Sequence, residues 1–205
     1  MESSVSCSAL KGRPREFDID EALTAALRVF WRRGYEGASM AELTAEMGIA
    51  KPSLYAAFGN KEELFKKALD LYEREKMAFM SEALKEPTSR QMAERLLYGA
   101  LQMQTSSCDP KGCLGVISAV SCGPEAVSIR ECVLERQKSS RTALIDRLEE
   151  YKQQSDLPAD VEPAAVARYL TAVMQGLSVQ AGAGASYDEL KSLVDMALRT
   201  WPGRS

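Results

Sequence analysis

The stretch "SMAELTAEMGIAKPSLYAAFGNKEELF", from Ser39 to Phe65, carries apolar residues at helical spacing but is broken three times, by Gly48, Pro52 and Gly59. Met40, Leu43 and Met47 fall on one side of a first short helix capped by Ser39. Gly48 can enter the left-handed conformation that ends a helix at little cost. Ile49 is a buried pin in the turn. A second helix starts near Lys51 and Pro52, because a proline in the first turn lacks only an N–H that has no helical partner there. Leu54 and Phe58 then point to the core, and Lys51, Ser53 and Tyr55 stay outward at the exposed N-terminal end. Two short helices across a glycine turn have the pattern of a helix-turn-helix, whose second helix enters the DNA major groove. The pattern also fits an ordinary corner between two bundle helices, so the flanking sequence has to decide.

Upstream, Asp18 and Glu21 read as a capping box opening an amphipathic helix. Ile19, Ala22, Leu23, Ala26, Leu27, Phe30 and Trp31 form its apolar face, Glu21, Arg28 and Arg32 its polar face, and Gly34 its stop. The same start signal returns at Ser39/Glu42, Asn60/Glu63, Thr88/Gln91 and Ser186/Glu189. Further helices are predicted at about 61–84, 89–106, 113–121, 125–154, 163–182 and 187–200, with a loop from Ser155 to Pro163. Alternating β-branched runs bounded by turn residues do not occur, so the chain reads as all-α.

Composition narrows the function. The chain has 205 residues and no histidine, which removes the usual general base, the commonest zinc ligand and the ordinary pH switch. No nucleophile elbow, phosphate loop or zinc motif is present; the reading is of no catalytic residues, no metal and no cofactor. "GAGAS" at Gly182 to Ser186 joins two helices and follows no strand. The longest apolar run, Gly112 to Gly123, is too short to span a bilayer, and the first residues lack the apolar core of a signal peptide, so a cytoplasmic protein without a membrane partner is expected. Five cysteines, an odd number, argue against a disulfide framework. Net charge is −3, so any DNA contact depends on where charges sit; "KGRPR" at Lys11 to Arg15 is the compact basic cluster.

These features meet in "ALRVFWRRGYEGASMAELTAEMGIAKPSLYAAFGNKEELFKKAL", which resembles the TetR-type transcriptional regulators; "PAAVARYLTAVMQGLSVQAGAGASYDELKSLVDMAL" resembles that family's last two helices more loosely. The resemblance implies a three-helix DNA-binding domain at 16–76, with the helix-turn-helix motif at 39–58, and a regulatory, ligand-binding and dimerisation domain at 77–205. It implies a homodimeric regulator, a repressor released from a palindromic double-stranded operator by a small-molecule effector. By position, Lys51 and Ser53 would face bases or nearby phosphates, and Tyr55 and Lys61 would hold the backbone. Ser39 and Thr44 would hold phosphates on the other side, and Arg13 and Arg15 would reach out as an arm. Ser39 and Thr44 also have a purely local reading, as cap and solvated hydroxyl. Many family members carry histidine or a second tyrosine where this chain has Ala56 and Ala57, so a half-site sequence does not carry over.

The middle of the chain is expected to hold the effector. Ile129, Val133, Gln137, Ser140, Leu144, Leu148 and Tyr151 form one helical stripe, apolar but for two hydrogen-bonding groups, as a ligand pocket needs. Candidate pocket residues are Met103, Cys113, Ile117, Gln137, Ser140, Met174 and Leu177. Dimerisation is expected on the last two helices, where Val166, Tyr169, Leu170, Val173, Met174 and Leu177 stand beside the small residues Ala172, Gly176, Ser178 and Gly182. Two other readings stay open: a repressor that senses electrophiles or oxidants through Cys113, beside Gly112 near a helix start where Lys111 adds positive charge, and a DNA-binding protein without effector control. Against the first, Cys113, Cys122 and Cys132 also read as small buried apolar residues.

Overall fold

The computed structural model describes residues 17–121 and 126–203, the side chains of 119–121 excepted. The described residues form helices and no strand. Their order is α1 (Ile19–Gly37), α2 (Met40–Glu46), α3 (Lys51–Phe58), α4 (Lys61–Lys76), α5 (Ala78–Ala83), α6 (Ser89–Thr105), α7 (Leu114–Ser121), α8 (Val127–Gln153), α9 (Pro163–Gly182) and α10 (Tyr187–Arg199). None is long and apolar enough to cross a membrane.

Each of the five predicted start signals caps a helix. Asp18 accepts from the N–H groups of Asp20 and Glu21, Ser39 from Glu42 and Thr88 from Gln91. At Asn60/Glu63 and Ser186/Glu189 the box is reciprocal. Glu42 instead turns sideways to Arg33 on α1, 3.2 Å away, tying the first two helices together. Gly34 breaks the helical path inside α1 with φ 71°, a kink beyond which a short helical piece runs to Gly37.

The predicted helix over 61–84 is two helices. It breaks at Met77, whose N–H reaches back five residues to the Tyr72 carbonyl before α5 starts. Neither glycine nor proline marks the break. Tertiary packing decides it, since α5 lies against α6.

Two apolar cores result. The first gathers Phe30, Trp31, Leu43, Leu54, Phe58, Leu64 and Phe65, and extends through Leu114, Ala126, Ile129 and Val133. Phe30 and Tyr35 both meet the Phe65 ring edge to face, at 5.1 and 5.3 Å, and Trp31 meets Tyr72 the same way at 4.8 Å. Val29, outside the predicted apolar face, is fully buried because α1 is packed by α4 and also by α7. The second core lies among α6, α8, α9 and α10, around Met92, Leu97, Leu148, Tyr151, Leu170 and Leu190.

Gly48 has φ 64°, and a Cβ added there would meet nothing within 4 Å. The cost of Gly48→Ala is therefore the left-handed backbone alone, about 1–2 kcal/mol. The melting temperature of the variant should fall by a few degrees; unchanged melting would show that the turn can relax.

Candidate nucleic-acid interface and internal cavity

Helices α2 and α3 present the face that the sequence pattern anticipates. Leu43, Met47, Leu54 and Phe58 are buried beneath it, with Ile49 at the rim of burial. Gly48 ends α2, and α3 begins with a free N-terminus, Ala50 offering no side-chain cap. Unsatisfied N–H groups and the positive end of the helix dipole therefore face outward, an arrangement suited to phosphate. Lys51 is exposed, with its ammonium 6.0 Å from the centroid of the Tyr55 ring, itself 47% exposed. An exposed tyrosine and lysine stacked at a helix start have no core to serve.

The other DNA candidates are more committed. Ser53 is half-buried. Ser39 is exposed, and its hydroxyl oxygen accepts the Glu42 N–H at 3.1 Å. The Thr44 hydroxyl donates within its own helix, to the carbonyls of Met40 at 3.0 Å and Ala41 at 3.1 Å. Lys61 lies 4.6 Å from the Tyr35 ring centroid; burial lowers its pKa, partly offset by Glu36. Arg13 and Arg15 lie outside the described residues.

A cavity of about 630 Å³ opens between α4, α5, α6, α8 and α9, beside α7. Met103, Cys113, Gln137, Ser140 and Met174 are among its walls. Two predicted lining residues are not. Ile117 packs into the first core, where its Cδ1 atom would lie 3.3 Å from a Cβ at Gly112, and Leu177 is fully enclosed in the second core.

Three groups at the cavity were not singled out from sequence. Gln104, buried, clasps the Gly112 peptide: its side-chain oxygen accepts the Gly112 N–H at 2.9 Å and its amide donates to the Gly112 carbonyl at 3.2 Å. Trp31 of α1 donates to the same carbonyl at 2.9 Å, so a cavity wall and the first core share one peptide. Tyr72 donates to the sulfur of Cys113 at 3.5 Å, and burial pushes its hydroxyl well above the usual tyrosine range. Arg136 of α8 reaches α4 with both arms, to Asp70 at 2.5 Å and Glu73 at 2.6 Å. Burial opposes its charge, and these carboxylates more than offset that, raising its pKa. Arg136 follows Val133 by three residues, so the stripe that marked Gln137 also marked this position.

A short helix, a glycine turn and a second helix with a bare, basic N-terminus have the geometry of a helix-turn-helix DNA-binding protein. The comparisons then fix the family. Residues 22–68 match the family model for bacterial regulatory proteins of the tetR family. Over 194 residues the chain is 31% identical to the HTH-type transcriptional repressor ComR of Escherichia coli (strain K12), covering 94% of this chain and 92% of that protein. It is 30% identical to the repressor BdcR of the same organism over 93% of this chain and 92% of that protein. Among solved structures, a cysteine mutant of the TetR family transcriptional regulator CifR, complexed with 26-bp double-strand operator DNA, superposes with a TM-score of 0.87. That likeness runs at 40% identity over 93% of this chain and all of the other. The chain belongs to the TetR family and is a DNA-binding transcriptional regulator.

Proposed function

We propose that the protein is a homodimeric repressor that lets go of a palindromic operator when a small molecule enters the cavity. It acts by binding and not by catalysis. Residues 16–76 serve as the DNA-binding head, with the motif at 39–58, and residues 77–205 as the regulatory body. The single observation that carries the reading is the paired exposure of Lys51 and Tyr55 at the uncapped start of α3. Lys51 and Ser53 reach base edges or adjacent phosphates. Tyr55 and Lys61 hold the backbone, with Ser39 and Thr44 on the opposite side and Arg13 and Arg15 as an arm. Phosphate contacts set register and base edges set sequence.

Two copies are needed for useful affinity, since each head makes few contacts. Helix α9 leaves Tyr169 and Val179 exposed, at 42% and 61%, on a stripe shared with Ala172 and Gly176. A Cβ added at Gly176 would meet nothing within 4 Å, so a partner helix has room to approach. The cavity is the effector site, with Met103, Cys113, Gln137, Ser140 and Met174 in its lining. The relatives named above as repressors favour repression over activation.

Selection of bound DNA from a random library tests this reading. A near-palindromic consensus is expected, because the two-fold symmetry of the protein is mirrored in its site. An enriched site without two-fold symmetry, or no enrichment, counts against it. Removing residues 1–15 should weaken operator binding more at low salt than at high salt, since the arm acts through counterion release. An unchanged salt slope would show that the arm makes no phosphate contacts.

A further inference from the structure

This inference rests on the reading of the cavity as an effector site and concerns what the cavity takes. The polar groups inside it are committed to the protein itself. Gln104 holds the Gly112 peptide, Gln137 donates to the Gly115 carbonyl at 3.3 Å, and Tyr72 donates to sulfur. The hydroxyls of Ser178 and Thr171 donate to backbone carbonyls of their own helix, at 2.8 Å each. A ligand entering the depth therefore meets apolar surface, from Leu69, Leu96, Ala100, Met103, Leu144 and Met174.

Charge in the lining is one-sided. Arg74, Arg136 and Arg141 stand against one acid, Glu73. Arg74 and Arg141 are exposed, as are Ser139 and Ser140 between them and Arg136, so the charged and free polar groups gather at the opening. Among the described residues, Arg74 pairs with its neighbour Glu75, at 3.4 Å, and Arg141 makes no ion pair. Arg136 stands deeper. Among the described residues, it makes both ion pairs that join α8 to α4, the helix that follows directly on α3 and Gly59.

We propose that the cavity takes an amphipathic monoanion, an apolar chain or ring body bearing one carboxylate, and that this carboxylate binds Arg136 in competition with Asp70 and Glu73. The apolar body fills the depth, against Leu69, Leu96, Ala100, Met103, Leu144 and Met174. The negative group stays at the arginine side of the opening, where it loses little of its hydration. The ligand carboxylate takes both arms of the Arg136 guanidinium, Asp70 and Glu73 turn to solvent, and burial of the apolar body drives the exchange. The exchange removes the two ion pairs that Arg136 makes from α8 to α4. A ligand that binds the state without these pairs more tightly lowers operator affinity by the ratio of its two affinities.

The test uses the full chain with three probes of one length, decanoate, decanol and decyltrimethylammonium, each below its micelle concentration. Binding is measured by calorimetry and operator affinity by fluorescence anisotropy. Decanoate should bind about tenfold or more tighter than decanol, the scale of a charge-assisted hydrogen-bond pair, and the cation weakest of all. Decanoate should also weaken operator binding. Arg136→Met, close in length, should bind decanoate and decanol alike. Glu73→Gln, which removes one competitor and needs no refolding of the cavity, should tighten decanoate binding several-fold. Decanol or the cation binding as tightly as decanoate overturns the proposal and leaves the effector reading standing, as does Glu73→Gln weakening decanoate. No decanoate binding also overturns it. Decanoate that binds with the predicted charge preference yet leaves operator affinity unchanged overturns the effector reading instead, together with the role of the Arg136 ion pairs in it.

Discussion

Replacing Tyr169 and Val179 together by glutamate should leave a folded monomer that has lost most of its hold on operator DNA. Both side chains are exposed in the single chain, so neither contributes to its own core, and Leu170 and Leu177 on the buried side of α9 are untouched. Glutamates on both copies would face each other across a two-fold axis, where desolvation and like charge oppose association. Operator affinity then falls because two heads no longer act as one ligand. The gain from joining two binding modules is about 10²–10⁴-fold, and that is the expected loss. Sedimentation velocity reports the mass and anisotropy the affinity. A variant that stays dimeric would place the interface on another face.

The second large effect belongs to α3. Lys51→Ala and Tyr55→Ala should each weaken operator binding without lowering the melting temperature, since both side chains project away from the core. A base-edge contact is worth about 1–3 kcal/mol, and a dimer makes each twice, so the affinity should drop by about 30-fold or more where the contact is to a base. Tyr55→Ala, which removes a phosphate partner, should weaken binding equally on every sequence. Lys51→Ala should in addition relax the preference at one position of each half-site. Thr44→Ala is the informative contrast. Its hydroxyl is bonded within α2. If it matters to DNA as much as Lys51, the hydroxyl must turn outward on binding.

The parts of this molecule that could be read from sequence are those whose cause is local. Asp18, Ser39, Asn60, Thr88 and Ser186 each cap the helix they precede, because a short polar side chain meets N–H groups two or three residues on. Gly48 at φ 64° and Gly34 at φ 71° are likewise local facts of backbone sterics. Other features needed tertiary structure. The break at Met77 carries no breaker residue, and the burial of Val29 follows from α7 lying across α1. The Arg136 pairs join residues 63 and 66 positions apart, a distance over which charge pattern alone names no partner. The same divide runs through the cavity. Gln137 and Ser140 were legible as polar interruptions of an apolar stripe, whereas Ile117 and Leu177 are apolar residues of the two cores, and apolar character alone does not separate pocket from core.

Among the described residues, two sets of bonds run from the cavity wall toward the head. One is rigid: Gln104 and Trp31 hold the same Gly112 carbonyl, so a shift of the α6–α7 connection is felt at α1. The other is electrostatic, through Arg136 and α4. A route transmits only if the ligand distinguishes two states of it, and equal ligand affinity for free and operator-bound protein would exclude both.

Site-specific cross-linking shows whether α3 is the element that enters the groove. A photoreactive phenylalanine analogue at position 55 should cross-link to operator DNA in a dimer-sized complex, whereas the same group at Arg199, at the end of α10, should not. Cross-linking from position 199 and not from 55, in a protein that still binds the operator, would contradict the account.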